Sequence, residues 1–183
     1  MLDLIVDVVF EVGYVGFFLY MIVVGTFIPL PTQLILIPAG YLASQGRLDF
    51  ATVVLVTAAG TTTGALINYH LANYLSRRWL SEEKSKKLKN FFNKYGKLAV
   101  FLAPLTFGLG QYISIPAGMA KMELKWFVPI IFLSNALWNI AMLLLGYMFG
   151  EHADHEATYL IVGGVLLTIV VVSFFVYREF KRS

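Results

Sequence analysis

The sequence predicts an all-α integral membrane protein, an inverted repeat of two re-entrant hairpins plus transmembrane helices. Its composition points to the membrane, because 58% of the 183 residues are hydrophobic and only 14% are charged. An internal repeat indicates the arrangement, since residues 33–40 (QLILIPAG) and 111–118 (QYISIPAG) match at six of eight positions. Proline and glycine interrupt the apolar stretch around each copy, which is typical of transporters with a central site between broken helices.

Charged residues divide the chain into its elements. Every Asp, Glu, Lys and Arg lies in one of six short segments, and the stretches between them are uncharged. About 20 uncharged residues can cross a bilayer, so we predict a single membrane domain over 1–183. Its elements are an N-terminal helix at 4–24, re-entrant hairpin 1 at 25–46, a span at 51–76, a cytoplasmic surface helix at 81–95, re-entrant hairpin 2 at 98–120, and spans at 126–149 and 158–177.

The two hairpins are predicted from residues that break helices. Proline lacks a backbone N–H donor and glycine loosens a helix, so we expect no unbroken helix in either segment. The predicted breakers are Pro29, Pro31, Pro38 and Gly40 in the first hairpin, and Pro104, Gly108, Pro116 and Gly118 in the second. One crossing follows each hairpin, so the second unit should lie upside down relative to the first, with the hairpins entering from opposite faces.

The distribution of basic residues predicts the orientation. Segment 77–97 holds eight basic residues against two acidic ones, whereas segment 151–156 has no Lys or Arg. Basic segments favour the cytoplasmic side, so 77–97 and the C-terminus are predicted inside and 151–156 outside.

Three stretches carry a resemblance to a known family. Residues 27–46 (FIPLPTQLILIPAGYLASQG), 64–75 (GALINYHLANYL) and 110–122 (GQYISIPAGMAKM) together resemble the DedA family, also called SNARE-associated or VTT-domain proteins. The resemblance implies two inverted re-entrant loops in a helical bundle. It also implies a multi-pass protein of the bacterial inner membrane that supports envelope homeostasis. Several family members act as flippases for undecaprenyl phosphate or other lipids, and eukaryotic relatives act as scramblases.

The chain departs from that family at its charged positions. Two positions at which the family usually has Glu read Gly25 and Gln33, and the stretch from Pro104 to Gly110 lacks the usual two arginines. In the family, the acids suit proton coupling and the arginines suit a phosphate. We therefore expect lipid movement in this chain without tight proton coupling.

Amide side chains are the candidate substrate-binding groups. Gln33 and Gln111 occupy equivalent repeat positions, and we expect their Cα atoms within roughly 15 Å near the midplane. Asn135, Asn139 and Asn68 could line the same cavity, because an amide both donates and accepts hydrogen bonds. Each Gln could instead only satisfy loose backbone groups, and Asn68 could serve an interhelical hydrogen bond.

Titratable groups are scarce in the apolar segments. His70 is the possible proton site among them, although it lies two turns from the basic segment. The spacing in 151–156 (EHADHE) could suit a metal, but with no further ligands a solvated turn is the expected role. We expect no cofactor and no metal.

Three classes of function are compatible with these residues. The first is a lipid translocator that passes phospholipid or undecaprenyl phosphate, with membrane lipid as its partner and no nucleic acid. The second is a non-transporting structural membrane protein that retains the DedA frame without its charged site. An enzyme acting on lipid phosphates is disfavoured, because the membrane segments contain no nucleophile–base pair and no His/Asp/Arg group.

Overall fold

The described residues fold into α-helices with no strand. The structure is a computed structural model that describes residues 2–26, 28, 30–79, 82–105 and 110–151. Within these ranges the helices are α1 (Leu2–Gly25), α2 (Gln33–Ser44), α3 (Phe50–Trp79), α4 (Glu82–Leu102), α5 (Ser114–Met119) and α6 (Leu124–Glu151). Two short 3₁₀ turns, Ala103–Leu105 and Gly110–Tyr112, lie between α4 and α5. The predicted span at 158–177 lies outside the described residues.

Two of the helices in the described part of the chain are long and apolar enough to cross a membrane. They are the stretches Phe50–Tyr74 of α3 and Leu124–Gly150 of α6, judged by length and composition. Two shorter apolar helices, Gly13–Gly25 and Gln33–Ser44, accompany them. Gly13 has φ 60° and ψ −170°, so α1 is kinked there and its last 12 residues form a separate straight segment.

The interruptions in the repeated segments lie before the IPAG sequences. Residues 26–32 separate α1 from α2, and α4 ends ahead of the 3₁₀ turns. The expectation that Pro38 and Pro116 would end helices was wrong. Helix α2 runs through Pro38, and Pro116 is the third residue of α5, where a missing N–H costs little.

Helix α4 is also longer than predicted. It continues from the predicted surface helix at 81–95 to Leu102, so residues 98–102, predicted as the start of re-entrant hairpin 2, belong to the same helix. The reason is a buried stripe formed by Phe92, Gly96 and Val100 at helical spacing, with Phe92 and Val100 in one core cluster with Phe127 and Ile131 of α6. This packing stabilises the helical conformation of α4 beyond its charged first half.

The long helices α3 and α6 run antiparallel. The side chain of Asn139 meets Thr57 at one level, and the rings of Phe127 and Tyr69 stack at 5.0 Å at another, so residue numbers rise along one helix as they fall along the other. Each long helix also has a companion that runs in its own direction. For α3 this companion is α1, whose Phe18 backbone faces Gly60 and whose Ile22 backbone faces Gly64.

Helix α4 is the corresponding companion of α6. Lys97 lies over the Trp126 ring, and further along both helices Ser134 donates a hydrogen bond to the Phe101 carbonyl oxygen. The pairing of α4 with α6 is therefore similar to that of α1 with α3. A helix that ends at a break runs beside the long helix of its own half.

The two IPAG helices are exchanged between the halves. Helix α2 packs on α6, and α5 packs on α3. A Cβ atom placed on Gly40 would lie 2.1 Å from the Leu143 carbonyl oxygen, and one placed on Gly118 would lie 2.2 Å from the Tyr69 carbonyl oxygen. Only glycine permits such an approach of two backbones, so the repeated glycines mark two equivalent crossings.

Both exchanged helices end in the same turn. At the end of α2 the Gly46 N–H donates to the Ala43 carbonyl and the Arg47 N–H to the Leu42 carbonyl, a Schellman motif. After α5, Lys121 and Met122 make the corresponding bonds. The residue with positive φ is Gly46 (69°) in the first turn and Lys121 (57°) in the second.

Candidate functional site

Buried polar side chains are distributed along α3, α5 and α6. Asn139 is 1% exposed, and its side-chain amide lies 3.1 Å from the Thr57 hydroxyl oxygen. In the amide orientation that satisfies both of its ends, Asn139 donates to the Asn135 carbonyl oxygen at 3.2 Å and accepts from the Ala58 N–H at 3.3 Å. We call this group of buried polar side chains the polar layer; it comprises Thr57, Thr61, Thr62, Asn68, Ser114, Ser134 and Asn139.

The threonines of the polar layer mostly bond to their own helix. Thr57 donates to the Val53 carbonyl at 2.6 Å and Thr61 to the Thr57 carbonyl at 3.0 Å. Thr62 differs, because its hydroxyl is buried and has no hydrogen-bond partner among the described residues. Helical spacing places Thr62 between Ala58 and Ala65, on a face of α3 whose residues pack against α6.

Two members of the polar layer hold the ends of broken helices. The Asn68 side chain donates to the Gly25 carbonyl oxygen at 3.2 Å, where α1 ends. Ser134 holds the Phe101 carbonyl near the end of α4 in the corresponding place of the second half. A carbonyl at a helix end has no partner in its own helix, so both bonds satisfy a group that would otherwise be costly in the membrane.

The predicted glutamines stand at the starts of the exchanged segments. Gln33 is the first residue of α2 and is half-exposed, and Gln111 lies in the 3₁₀ turn before α5. Their roles, and the expected distance between them, remain predictions. Gly110, beside Gln111, packs against Pro104, where a Cβ atom would lie 2.4 Å from the Pro104 Cα. The second break therefore folds back tightly on itself.

The other predicted residues lie apart from one another. Asn135 is half-buried one turn before Asn139, and Asn68 lies near the end of α1. His70 is exposed and touches the Tyr69 ring edge-on, with centroids 5.4 Å apart. Among the predicted breakers, Gly40 and Gly118 are helix crossings, while Pro29 and Gly108 lie outside the described residues.

Sequence reasoning did not single out the threonines of α3. The signal was present as the run TTTG at 61–64, which is polar within an otherwise apolar span. The polar layer carries no charge, since neither 50–76 nor 126–150 contains Asp, Glu, Lys or Arg. The described residues also contain no cluster of three or more His, Asp or Glu side chains that could hold a metal ion. Hydrogen bonding to neutral groups is the chemistry that this layer offers.

Comparison with known proteins decides the family. The VTT domain matches residues 30–148, which include both IPAG sequences, all of α3 and all but the last three residues of α6. The chain belongs to the VTT-domain, or DedA, family. The predicted membership is thereby confirmed, and with it the prediction of a membrane protein.

The DedA relatives align over nearly the whole chain. The undecaprenyl phosphate transporter A of Staphylococcus aureus is 27% identical, over 99% of this chain and 98% of that protein. Its namesake in Bacillus subtilis is 28% identical, over 94% of this chain and 93% of that protein. An alkaline phosphatase-like protein of Lactococcus lactis is 24% identical, over 100% of this chain and 96% of that protein. No solved structure gives a significant match.

Proposed function

We propose that this DedA protein moves a lipid with a phosphate-bearing headgroup between the leaflets of the membrane. The observation that carries the proposal is the reciprocal exchange, in which each IPAG helix packs on the long helix of the other half. Such an exchange is what a pseudo-two-fold axis between two similar units produces. Inverted units of this kind build transporter sites that open to either side.

The helix directions support the inverted arrangement. Because α3 and α6 are antiparallel and each has a parallel companion, the two halves point in opposite directions. The straight part of α1 and the following α2 are each too short to cross a bilayer as a helix. We infer that they form a re-entrant hairpin whose break lies inside the bundle, and that α4 and α5 form its inverted counterpart.

Neutral amide side chains favour weak, reversible binding. We propose that a headgroup is held by Gln33, Gln111 and Asn135, with Asn139 and Asn68 keeping the surrounding helices in place. Neutral donors bind a phosphate less tightly than an arginine fork does. This suits equilibration across the bilayer better than uphill transport. The names of the relatives make undecaprenyl phosphate the first substrate to test.

The test is the movement of headgroup-labelled lipid in proteoliposomes, with and without an imposed pH gradient. We expect movement in both conditions, a slower rate in Gln33→Ala and Gln111→Ala, and an unchanged rate in Gln45→Ala. Gln45 is the matched control, because it is exposed at the far end of α2. Movement that requires the gradient and is lost in His70→Ala would overturn the uncoupled mechanism.

A second outcome would favour the alternative function. If no lipid moves under any condition, the chain is a structural membrane protein that keeps the family frame, and the amides serve only packing. The engaged side chains of Asn68 and Asn139 are compatible with that role.

We also propose a location in the bacterial inner membrane with the C-terminus in the cytoplasm. The chain has no cysteine, so single-cysteine variants can be labelled with an impermeant reagent. Lys84→Cys should be labelled only after the cells are opened. Labelling in intact cells would reverse the orientation.

A further inference from the structure

Helix α4 has three distinct faces, and one of them has no partner in the described fold. Its buried stripe packs against α6. A second stripe is apolar yet exposed, with Phe91 49%, Tyr95 46% and Leu98 57% exposed. These residues recur three and four positions apart, so they form one continuous ridge along the helix. Beside this ridge lies a polar face that carries Lys94 and Lys97, both exposed.

The two lysines lie against aromatic rings. Lys97 Nζ is 3.4 Å from the centroid of the Trp126 ring, and Lys94 Nζ is 5.0 Å from that of Tyr95. Trp126 is itself 44% exposed at the start of α6. Tyrosine and tryptophan favour the level of the lipid headgroups, and a lysine at that level meets phosphate. We call Lys94, Tyr95, Lys97 and Trp126 the rim patch.

We propose that the rim patch binds the headgroup of an anionic phospholipid from the adjacent leaflet, with the Phe91–Leu98 ridge against its acyl chains. Charge complementarity identifies the occupant. The patch offers two ammonium groups, and the Glu123 carboxylate just before α6 is engaged with Lys125 at 2.7 Å. The hydrogen bond and charge of Lys125, and to a smaller extent the charge of Lys97, lower the pKa of Glu123. The three lysines therefore outnumber this carboxylate, which leaves positive charge beside Trp126.

This lipid is distinct from a transported one. The rim patch is exposed on α4 and at the start of α6, whereas the side chains of the polar layer are buried. The proposal therefore does not depend on transport. It predicts a preference for anionic lipid in a protein that is not moving any.

Trp126 provides a local reporter of the bound lipid. In a Trp79→Phe, Trp138→Phe background, Trp126 is the only tryptophan, and brominated lipids quench it on contact. In bilayers that mix phosphatidylcholine with brominated phosphatidylglycerol, we expect several-fold more quenching than the bulk fraction of phosphatidylglycerol gives. Lys94→Gln with Lys97→Gln should lower the apparent affinity roughly ten- to thirty-fold, at about fivefold for each lysine.

Two controls separate a site from diffuse charge. Lys86→Gln with Lys89→Gln removes the same charge from exposed positions away from Trp126 and should keep the preference. Lys94→Arg with Lys97→Arg keeps the charge and should also keep the preference for phosphatidylglycerol. The proposal would be overturned if quenching of Trp126 in the parent only followed the bulk fraction of phosphatidylglycerol. It would also be overturned if the Lys94/Lys97 and the Lys86/Lys89 Gln pairs lost the preference for phosphatidylglycerol equally.

A second measurement avoids the tryptophan substitutions. In native mass spectrometry of the chain with all three tryptophans, the parent should retain more phosphatidylglycerol than phosphatidylcholine. The Lys94/Lys97 Gln pair should lose that excess. Equal retention of the two lipids by the parent would contradict the proposal.

Discussion

Gly40→Ala tests the exchanged packing directly. The added Cβ would lie 2.1 Å from the Leu143 carbonyl oxygen and 2.9 Å from its carbon, both backbone atoms that cannot rotate away. An ordinary contact needs about 3.4 Å, so α2 and α6 must separate by roughly 1 Å along this line. Overpacking of this kind costs about 1–3 kcal/mol, which outweighs the gain of up to about 1 kcal/mol from replacing a helical glycine.

The assay is thermal unfolding of the purified protein in one detergent. A net loss of about 1–2 kcal/mol should lower the unfolding midpoint by roughly 2–8 °C. Gly118→Ala should cause a similar loss, because its Cβ would meet the Tyr69 carbonyl oxygen at 2.2 Å.

Gly96→Ala is the matched control in a helix. The three atoms nearest to its new Cβ all belong to the Phe92 side chain of the same helix, the closest at 2.9 Å, and a side chain can shift more easily than the backbone of a partner helix. We expect its midpoint within about 2 °C of the parent. Midpoints of Gly40→Ala and Gly118→Ala at or above that of Gly96→Ala would refute the backbone-to-backbone crossings.

Three further substitutions probe single interactions. Lys121→Gly should stabilise the protein by about 0.5–1 kcal/mol, because φ 57° strains a residue with a side chain, and the unfolding midpoint reports it. Asn68→Ala should cost about 1–2 kcal/mol in the same assay, since the Gly25 carbonyl loses its donor. Asp49→Ala should lower the midpoint at pH 7, because the Asp49 carboxylate accepts from the Thr52 hydroxyl and N–H, which lowers its pKa. That stabilisation is present above the unfolded pKa of about 3.9 and is lost as the pH falls through the lower folded value, so parent and variant should converge in acid.

Each of these substitutions has a contrasting control. Gly46→Ala should destabilise, because φ is 69° and no atom lies within 4 Å of the added Cβ, so backbone strain is the only change. Asn93→Ala removes an exposed amide and should leave the midpoint unchanged. A gap between Asp49→Ala and the parent that stays constant from pH 7 down to acid would contradict the role assigned to its charge.

The membrane class, the family and the helical regions could be predicted from the sequence. Charge-free stretches and the IPAG repeat can be recognised in the sequence without any knowledge of packing. That α2 would continue through Pro38 could not be predicted in this way. A proline in a helix is normally a break, yet Gly40 and Ile37 hold α2 so closely on α6 that the helix persists through it. That balance depends on a partner helix far away in the sequence.

The candidate site was predictable only in part. Asn139 was found because an amide in an apolar span is conspicuous, but its partner Thr57 resembles any other threonine in a helix. Thr62 is distinguished only by its lack of a hydrogen-bond partner among the described residues, which is a property of three-dimensional packing. Sequence therefore locates polar residues in the membrane but does not tell which hydroxyls are already satisfied.

The repeat itself separates packing from function. The IPAG part of each copy is explained by the crossings, where Gly40 and Gly118 face backbone carbonyls of the other half. The matched glutamines are not explained in this way, because Gln33 lies seven residues before Gly40, half-exposed at the start of its helix and outside the crossing. A packing role would allow an apolar residue at that position as readily as an amide. The substitutions Gln33→Leu and Gln111→Leu should therefore leave the unfolding midpoint nearly unchanged and slow lipid movement. A large fall in the midpoint with no change in the rate would assign both glutamines to structure.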